Sequence, residues 1–302
     1  MQEIQSSKFS WIDIHRPEKS DINSIQKRFN LHPILVDEFS TPTIRPKASE
    51  YDTCLYLAIH IPLFDREQKT TYPGEIDMVI TENALITSHF KEISQLSEIF
   101  HSLKNDDQKR EILMSESPAK LMHYIIEKLL ESCFPKLDNI SKKLERIEKE
   151  TFKGNEKEMV LEISKVKRDI LHFRRTMKPQ RSIIESLVQK EYRLIGPELK
   201  PYFQDLVGTN IRIWNNLESE KETIESLEET NNSLLSTKLD VTMKVLTIFS
   251  AIMLPLTVYS NFLAMSADIP FGKYASGFWL HIGIAFIIAA ITIAIFKAKK
   301  WL

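Results

Sequence analysis

Two long apolar runs close the chain. Val245 to Met265, VLTIFSAIMLPLTVYSNFLAM, holds 21 residues without a charge, and Phe278 to Phe296, FWLHIGIAFIIAAITIAIF, holds 19 with His281 as the one ionisable group. Each meets the roughly 20-residue length that an α-helix needs to cross a hydrocarbon core about 30 Å thick. The pattern therefore predicts transmembrane helices over 245–265 and 278–296, a connecting loop over 266–277 and a basic tail over 297–302.

Upstream the periodicity changes twice. From Ser117 onward apolar residues recur at helical spacing among Lys and Glu, as in Leu137, Ile140, Leu144 and Ile147. Breaks at Gly154-Asn155 and Gly196-Pro197 predict three long helices over 116–244. The third meets no strong breaker other than Gly208 between Pro201 and Pro255. From Tyr202 it is expected to continue into the first span as a single helix of roughly 95 Å, at about 1.5 Å per residue. Before residue 115 the segments CLYLAIHIPLF and IDMVITENALITSHF, rich in β-branched and aromatic residues, read as strands. Turn chemistry lies at Tyr72-Pro73-Gly74 and Glu82-Asn83, and helices are expected around SDINSIQKRFN and KEISQLSEIFHSL. The expected fold class is an α+β domain over 1–115, a long-helix region, and two C-terminal transmembrane helices.

Charge orients this arrangement. Lys238 and Lys244 precede the first run and Lys297, Lys299 and Lys300 follow the second, while the connecting loop carries only Asp268 and Lys273. The excess of Lys on one side places both termini in the cytoplasm of a cell (inner) membrane protein. Phe278, Trp279 and Trp301 fall where aromatic residues gather at the lipid interface. The first residues contain no apolar h-region, so no cleavable signal is expected. Cys54 and Cys133 are the two cysteines and read as buried reduced thiols. A net charge of -1 offers no footprint for nucleic acid. The absence of a Gly-rich phosphate loop, an HExxH motif or a nucleophile–base pair argues against an enzyme and against a resident cofactor.

The first span carries a polar stripe. Asp240, Thr247, Ser250, Thr257 and Asn261 are spaced by seven, three, seven and four residues. At about 100° per residue they share an arc of roughly 100°, which also contains Met243 and Leu254. Ser and Thr can satisfy themselves on their own i−4 carbonyls, but Asp240 and Asn261 belong to the same arc. One two-span chain cannot enclose a pore, whereas symmetric copies can each turn this stripe toward an axis. The residues alone thus predict a lipid-embedded homo-oligomer that passes something small and polar.

Several motifs carry a resemblance. LHPILVDEF from Leu31, RPKASEYDTCLYLAIH from Arg45, YFQDLVG from Tyr202, KLDVTMKVLTIFSAIMLPLT from Lys238 and the terminal KAKKWL together resemble the CorA family of magnesium channels. The resemblance implies a homopentameric funnel whose long helix becomes the pore-lining first span. It implies pore positions at Asp240, Met243, Leu246, Leu254 and Thr257, with Met243 and Leu246 as a narrow apolar constriction. It also implies a cytoplasmic metal-sensing pair, Asp65 and Asp205, that meets across a subunit interface, with Mg²⁺ or another divalent cation as both transported and regulatory ion. The outer mouth departs from the family pattern: where Tyr-Gly-Met-Asn is usual, this chain has Leu263-Ala264-Met265-Ser266. Asn261 on the stripe is the expected substitute for the missing amide, and Asp268 in the loop is expected to concentrate cations at the mouth by its charge, given a loop that folds toward the axis. Two other readings stay open: a transporter of Zn²⁺, Ni²⁺ or Co²⁺, and a non-conducting ion-responsive sensor.

Overall fold

The computed structural model describes residues 1–65, 70–264 and 275–299, the side chains of 275–278 excepted. Packing divides the chain into two units, Met1–Glu228 and Glu229–Leu302.

The first unit is built on a six-stranded sheet of order β1-β2-β6-β5-β4-β3. The strands are β1 (Gln2–Gln5), β2 (Ser10–His15), β3 (Lys47–Glu50), β4 (Leu55–Asp65), β5 (Thr70–Ile80) and β6 (Ala84–His89). All pairs are antiparallel except β2 with β6. Helices α1 (Lys19–Phe29) and α2 (Ile34–Ser40) cover one face, where Ile22, Ile25, Leu35 and Phe39 pack on Ile12, Tyr56 and Val79. The other face supports Leu57, Ile59, Met78 and Trp11. It packs on α3 (Ser94–Asn105), α5 (Pro118–Glu131), α6 (Phe134–Phe152), α7 (Glu156–Gln189) and the first part of α8 (Lys200–Ala264). A short α4 (Asp107–Leu113) follows α3. Because β4 is buried on both faces from Leu55 to Leu63, its sequence runs apolar without alternation.

The local chemistry explains the boundaries. Ser117 caps α5 by accepting from the Lys120 N–H, with Pro118 in the first turn. Asn30, in the left-handed region at φ 50°, ends α1. The Gly154-Asn155 and Gly196-Pro197 breaks fall where expected. The expected strands and the helices α1 and α3 are present, and α8 is one helix of 65 residues.

Two expectations are corrected. Tyr72-Pro73-Gly74 is not a turn; β5 runs through it, with Pro73 opposite Pro62 and Gly74 opposite Ile61. Pairing with β6 covers only Asp77–Ile80, so Pro73 has a strand on one side alone, where its missing N–H costs little. A Cβ at Gly74 would lie 2.3 Å from Cδ1 of Leu63, so any larger residue there requires the Leu63 side chain to shift. The region from Ser117 contains four long helices, not three, because Pro135 in the first turn of α6 prevents α5 from continuing. Cys54 and Cys133 are free and buried, and burial pushes the Cys133 thiol up to about 12.

The second unit contains the rest of α8 and α9 (Ala275–Ala298). Both helices are long and apolar enough to cross a membrane, with mean hydropathy of 1.8 and 2.4 over their most apolar windows.

Candidate ion pathway

The stripe lies on the part of α8 in the second unit. Asp240, Met243, Leu246, Thr247, Ser250, Leu254, Thr257 and Asn261 are all exposed in the single chain. Leu254 is 66% accessible, Met243 59% and Leu246 56%, well beyond what an apolar side chain keeps inside a finished core. The half-buried residues of the same segment, from Ile248 to Leu263, form a different set: Ile248, Ala251, Ile252, Pro255, Leu256, Tyr259 and Leu263. At about 100° per residue this set is centred roughly 150° from the stripe. The side of α8 covered by its own chain is therefore nearly opposite the polar one.

The covered side contains the polar contact between the two apolar helices. Tyr259 Oη lies 2.7 Å from Nδ1 of His281. The tyrosine hydroxyl and Nδ1 of the histidine pair away from the stripe, where an unpaired polar group costs most, while His281 Nε2 is buried without a partner among the described residues. Sequence reasoning missed this pair, although a lone His in an apolar run was its signal.

On the stripe itself, Thr247 Oγ1 donates to the Met243 carbonyl at 2.7 Å and Thr257 Oγ1 donates to that of Met253 at 2.8 Å. Each hydroxyl spends its proton on the backbone and retains lone pairs. An acceptor-only hydroxyl suits a cation or its water shell better than an anion. Asn261 supplies the one carboxamide on this face and stands one turn before Ala264, the last residue of α8. Met265, Ser266 and Asp268 lie outside the described residues.

In the first unit, Asp65 closes β4 opposite Thr70, and Asp205 is exposed in the opening turns of α8. The start of α8 is firmly held around Asp205: Phe203 and Leu206 are buried, and His123 Nε2 lies 3.1 Å from the Tyr202 carbonyl. Lys120 Nζ sits 3.4 Å from the centre of the Tyr202 ring. Burial lowers the His123 pKa, with the Asp205 charge acting weakly against it. Among the described residues no three His, Cys, Asp or Glu side chains come together in a way that could hold a metal ion. Arg174 and Lys178 of α7 are occupied at the helix surface: Arg174 pairs with Glu218 at 2.8 Å, and both cations flank the Trp214 ring.

The chain matches the family model described as CorA-like Mg²⁺ transporter protein over residues 6–299. It is 25% identical over 300 residues to the cobalt/magnesium transport protein CorA of Thermotoga maritima, covering 98% of this chain and 84% of the relative. The complete structure of the CorA magnesium transporter from Methanocaldococcus jannaschii superposes with a TM-score of 0.84 at 20% identity, covering 100% of this chain and 95% of that one. The cytoplasmic domain of ZntB from Vibrio parahaemolyticus shares the fold at a TM-score of 0.63 and 17% identity, over 77% of this chain and 90% of that one.

Proposed function

The chain belongs to the CorA-like family of divalent-cation transporters, and from that premise we propose that it is a channel for hydrated Mg²⁺, formed by a ring of five copies around the α8 stripe. The observation that carries this reading is the uncovered polar arc of α8, opposite the face its own chain covers. A surface bearing Asp240, Thr247, Ser250, Thr257 and Asn261 is costly against lipid. Copies around an axis remove that cost and line a path with oxygen. Met243 and Leu246 form a dry constriction near the cytoplasmic end, and both termini face the cytoplasm. Oxygen donors without thiolate or imidazole on the stripe favour a hard ion over Zn²⁺.

Flux into liposomes containing the purified chain tests this, comparing Mg²⁺, Co²⁺, Ni²⁺, Zn²⁺ and Na⁺ with protein-free vesicles. Mg²⁺ is expected to pass, and to pass faster than Na⁺. Co²⁺ is the informative second ion, since the Thermotoga relative's name carries it with magnesium. A conductance for Zn²⁺ without Mg²⁺ would move the chain to another metal, and no flux with divalents removed from the cytoplasmic side would leave the sensor reading.

Asp65 and Asp205 are proposed to meet across neighbouring subunits, where a divalent cation offsets their repulsion and holds the ring closed. Asp205→Asn removes one of the two charges. The concentration of cytoplasmic-side Mg²⁺ that halves the flux is expected to rise about tenfold, the effect of losing roughly 1.4 kcal/mol of ion binding. An unchanged inhibition curve dismisses this sensing pair without touching the pore.

A further inference from the structure

Helix α8 buries Ile213, Leu217, Ile224 and Leu227 at four-seven-three spacing, each no more than 8% exposed. The vacant position in that row, three after Leu217 and four before Ile224, is Glu220. It is 6% exposed, as deep as its apolar neighbours. Oε1 accepts from the Ser141 hydroxyl at 2.9 Å, and Oε2 is buried with no partner among the described residues. A carboxylate left half-satisfied inside a helix packing is expensive unless something else completes it.

The surroundings identify the missing partner's charge. Glu220 lines a cleft of 210 Å³ between α6 and α8, with Ser141, Glu145, Glu148, Ser219 and Thr223 supplying the other polar side chains. No Lys or Arg lines it, and Lys221 on the neighbouring turn of α8 is engaged by Glu218 and Glu225. Asp138 adds a further negative field at Glu220. Every polar group around the cleft is an oxygen. The larger cleft of this unit, 540 Å³ beside β4 and α6, has the opposite character, with Lys136, Lys142, Lys143 and Arg146 in its wall.

We propose that the Glu220 cleft is a binding site for a hydrated divalent cation, held through its water shell between α6 and α8 of each chain and separate from Asp65 and Asp205. The carboxylates do not close on a bare ion, in keeping with the lack of a direct ligand cluster among the described residues. Mg²⁺ retains several waters and is commonly held by one or two carboxylates. Six waters at roughly 30 Å³ each occupy about 180 Å³, which the cleft accommodates. The carboxylates of Glu145 and Glu148 accept hydrogen bonds from that shell, the hydroxyls of Ser219 and Thr223 complete it, and a turn of the Glu220 side chain brings Oε2, closed off from solvent in this structure, to the shell. Burial, the largest cause, raises the Glu220 pKa to about 7, so without the cation a proton shares the role near neutrality. The ion ties α6 to the helix that continues into the apolar span. The choice of ion rests on the proposed Mg²⁺ function, whereas the existence of the site does not.

Mn²⁺, an octahedral oxygen-binding stand-in for Mg²⁺, reads the site directly. Bound Mn²⁺ per chain is counted by electron paramagnetic resonance on the full-length protein in detergent, with Mg²⁺ and Na⁺ as competitors. Glu220→Gln, which keeps shape and the Ser141 contact, is expected to lose one Mn²⁺ per chain that Asp205→Asn retains. Glu145→Gln combined with Glu148→Gln, both on the exposed rim, is expected to weaken the same Mn²⁺ about tenfold and tests the site even should the buried variant misfold. Displacement by Mg²⁺ but not by equivalent Na⁺ identifies the divalent class. Equal stoichiometry and affinity in wild type and either variant overturns the proposal. Loss of flux with this Mn²⁺ still bound would overturn the transport reading alone.

Discussion

Raising the pH from 4 to 8 is expected to destabilise the full-length protein, and Asp77→Asn is expected to abolish most of that dependence. Asp77 is fully buried at the centre of the sheet, accepts from the Tyr56 hydroxyl at 2.7 Å through Oδ1, and leaves Oδ2 without a partner among the described residues. Burial raises its pKa to about 8, helped by the Glu75 and Glu38 charges and opposed by the Tyr56 hydrogen bond. Burial likewise drives the Tyr56 hydroxyl far above its ordinary range, so it remains a donor. The folded state thus holds a proton that the unfolded chain releases near 3.8. The resulting stabilisation is complete below that value, declines as pH rises toward about 8, and is gone above it. At ~1.4 kcal/mol per pH unit between 3.8 and about 8 the whole swing is at most ~6 kcal/mol, an upper bound because local relaxation and water entry soften it. Denaturant midpoints at pH 5, 6, 7 and 8 measure it. The asparagine variant stays neutral throughout and keeps an acceptor for Tyr56, so its midpoint is expected to lose the larger share of the dependence and to keep the smaller share from Glu220, whose carboxyl burial raises to about 7. A wild-type midpoint no steeper than the variant's would mean that Asp77 is ionised in the folded state.

What the sequence made legible depended on how few alternatives each pattern had. The spans were legible because runs such as Phe278–Phe296 have no soluble counterpart of that length, and α9 covers that run. The continuity of α8 was legible for the opposite reason, the absence of breakers between Pro201 and Pro255. Strands β1 and β3 were not, because four residues carry too little periodicity and both depend on a partner: Ala48 lies opposite Leu57 and Ile4 opposite Trp11. The Pro-Gly in β5 misled because its tolerance comes from a missing neighbour strand, a tertiary fact that no local rule contains.

The candidate site divides in the same way. A stripe on one helix is a property of spacing and could be read directly, whereas the coverage of its opposite face is a property of packing. Tyr259 and His281 are 22 residues apart, and nothing local joins them until the helices pair. Glu220 was visible in principle as a charge in a four-three apolar row, yet such a residue ordinarily bends to the surface. Its burial against Ser141 is what distinguishes it.

Asn261→Ala is expected to reduce the Mg²⁺-over-Na⁺ flux ratio about tenfold or more. Asn261 is exposed on the stripe and, one helical turn beyond Thr257, lies roughly 6 Å further along α8. In the proposed ring of copies its amide oxygens would converge on the axis and accept hydrogen bonds from the waters of a passing cation. Mg²⁺ polarises those waters strongly and gives them up reluctantly, so an acceptor ring at this distance favours it over a monovalent ion that sheds its shell easily. A hydrogen bond to a charged partner is worth roughly 1.5–3 kcal/mol, and losing even one per ion corresponds to about tenfold or more in discrimination. Alanine removes the amide while keeping the helix, since its helix propensity is higher than that of asparagine. Tyr259→Phe on the covered face is the matched control: it breaks the contact with His281, lowers stability, and is expected to leave the ratio unchanged. Parallel Mg²⁺ and Na⁺ flux measurements in liposomes separate the two effects. A ratio unaffected by Asn261→Ala would assign Asn261 to packing and shift ion selection toward the segment from Ala264 to Asp268.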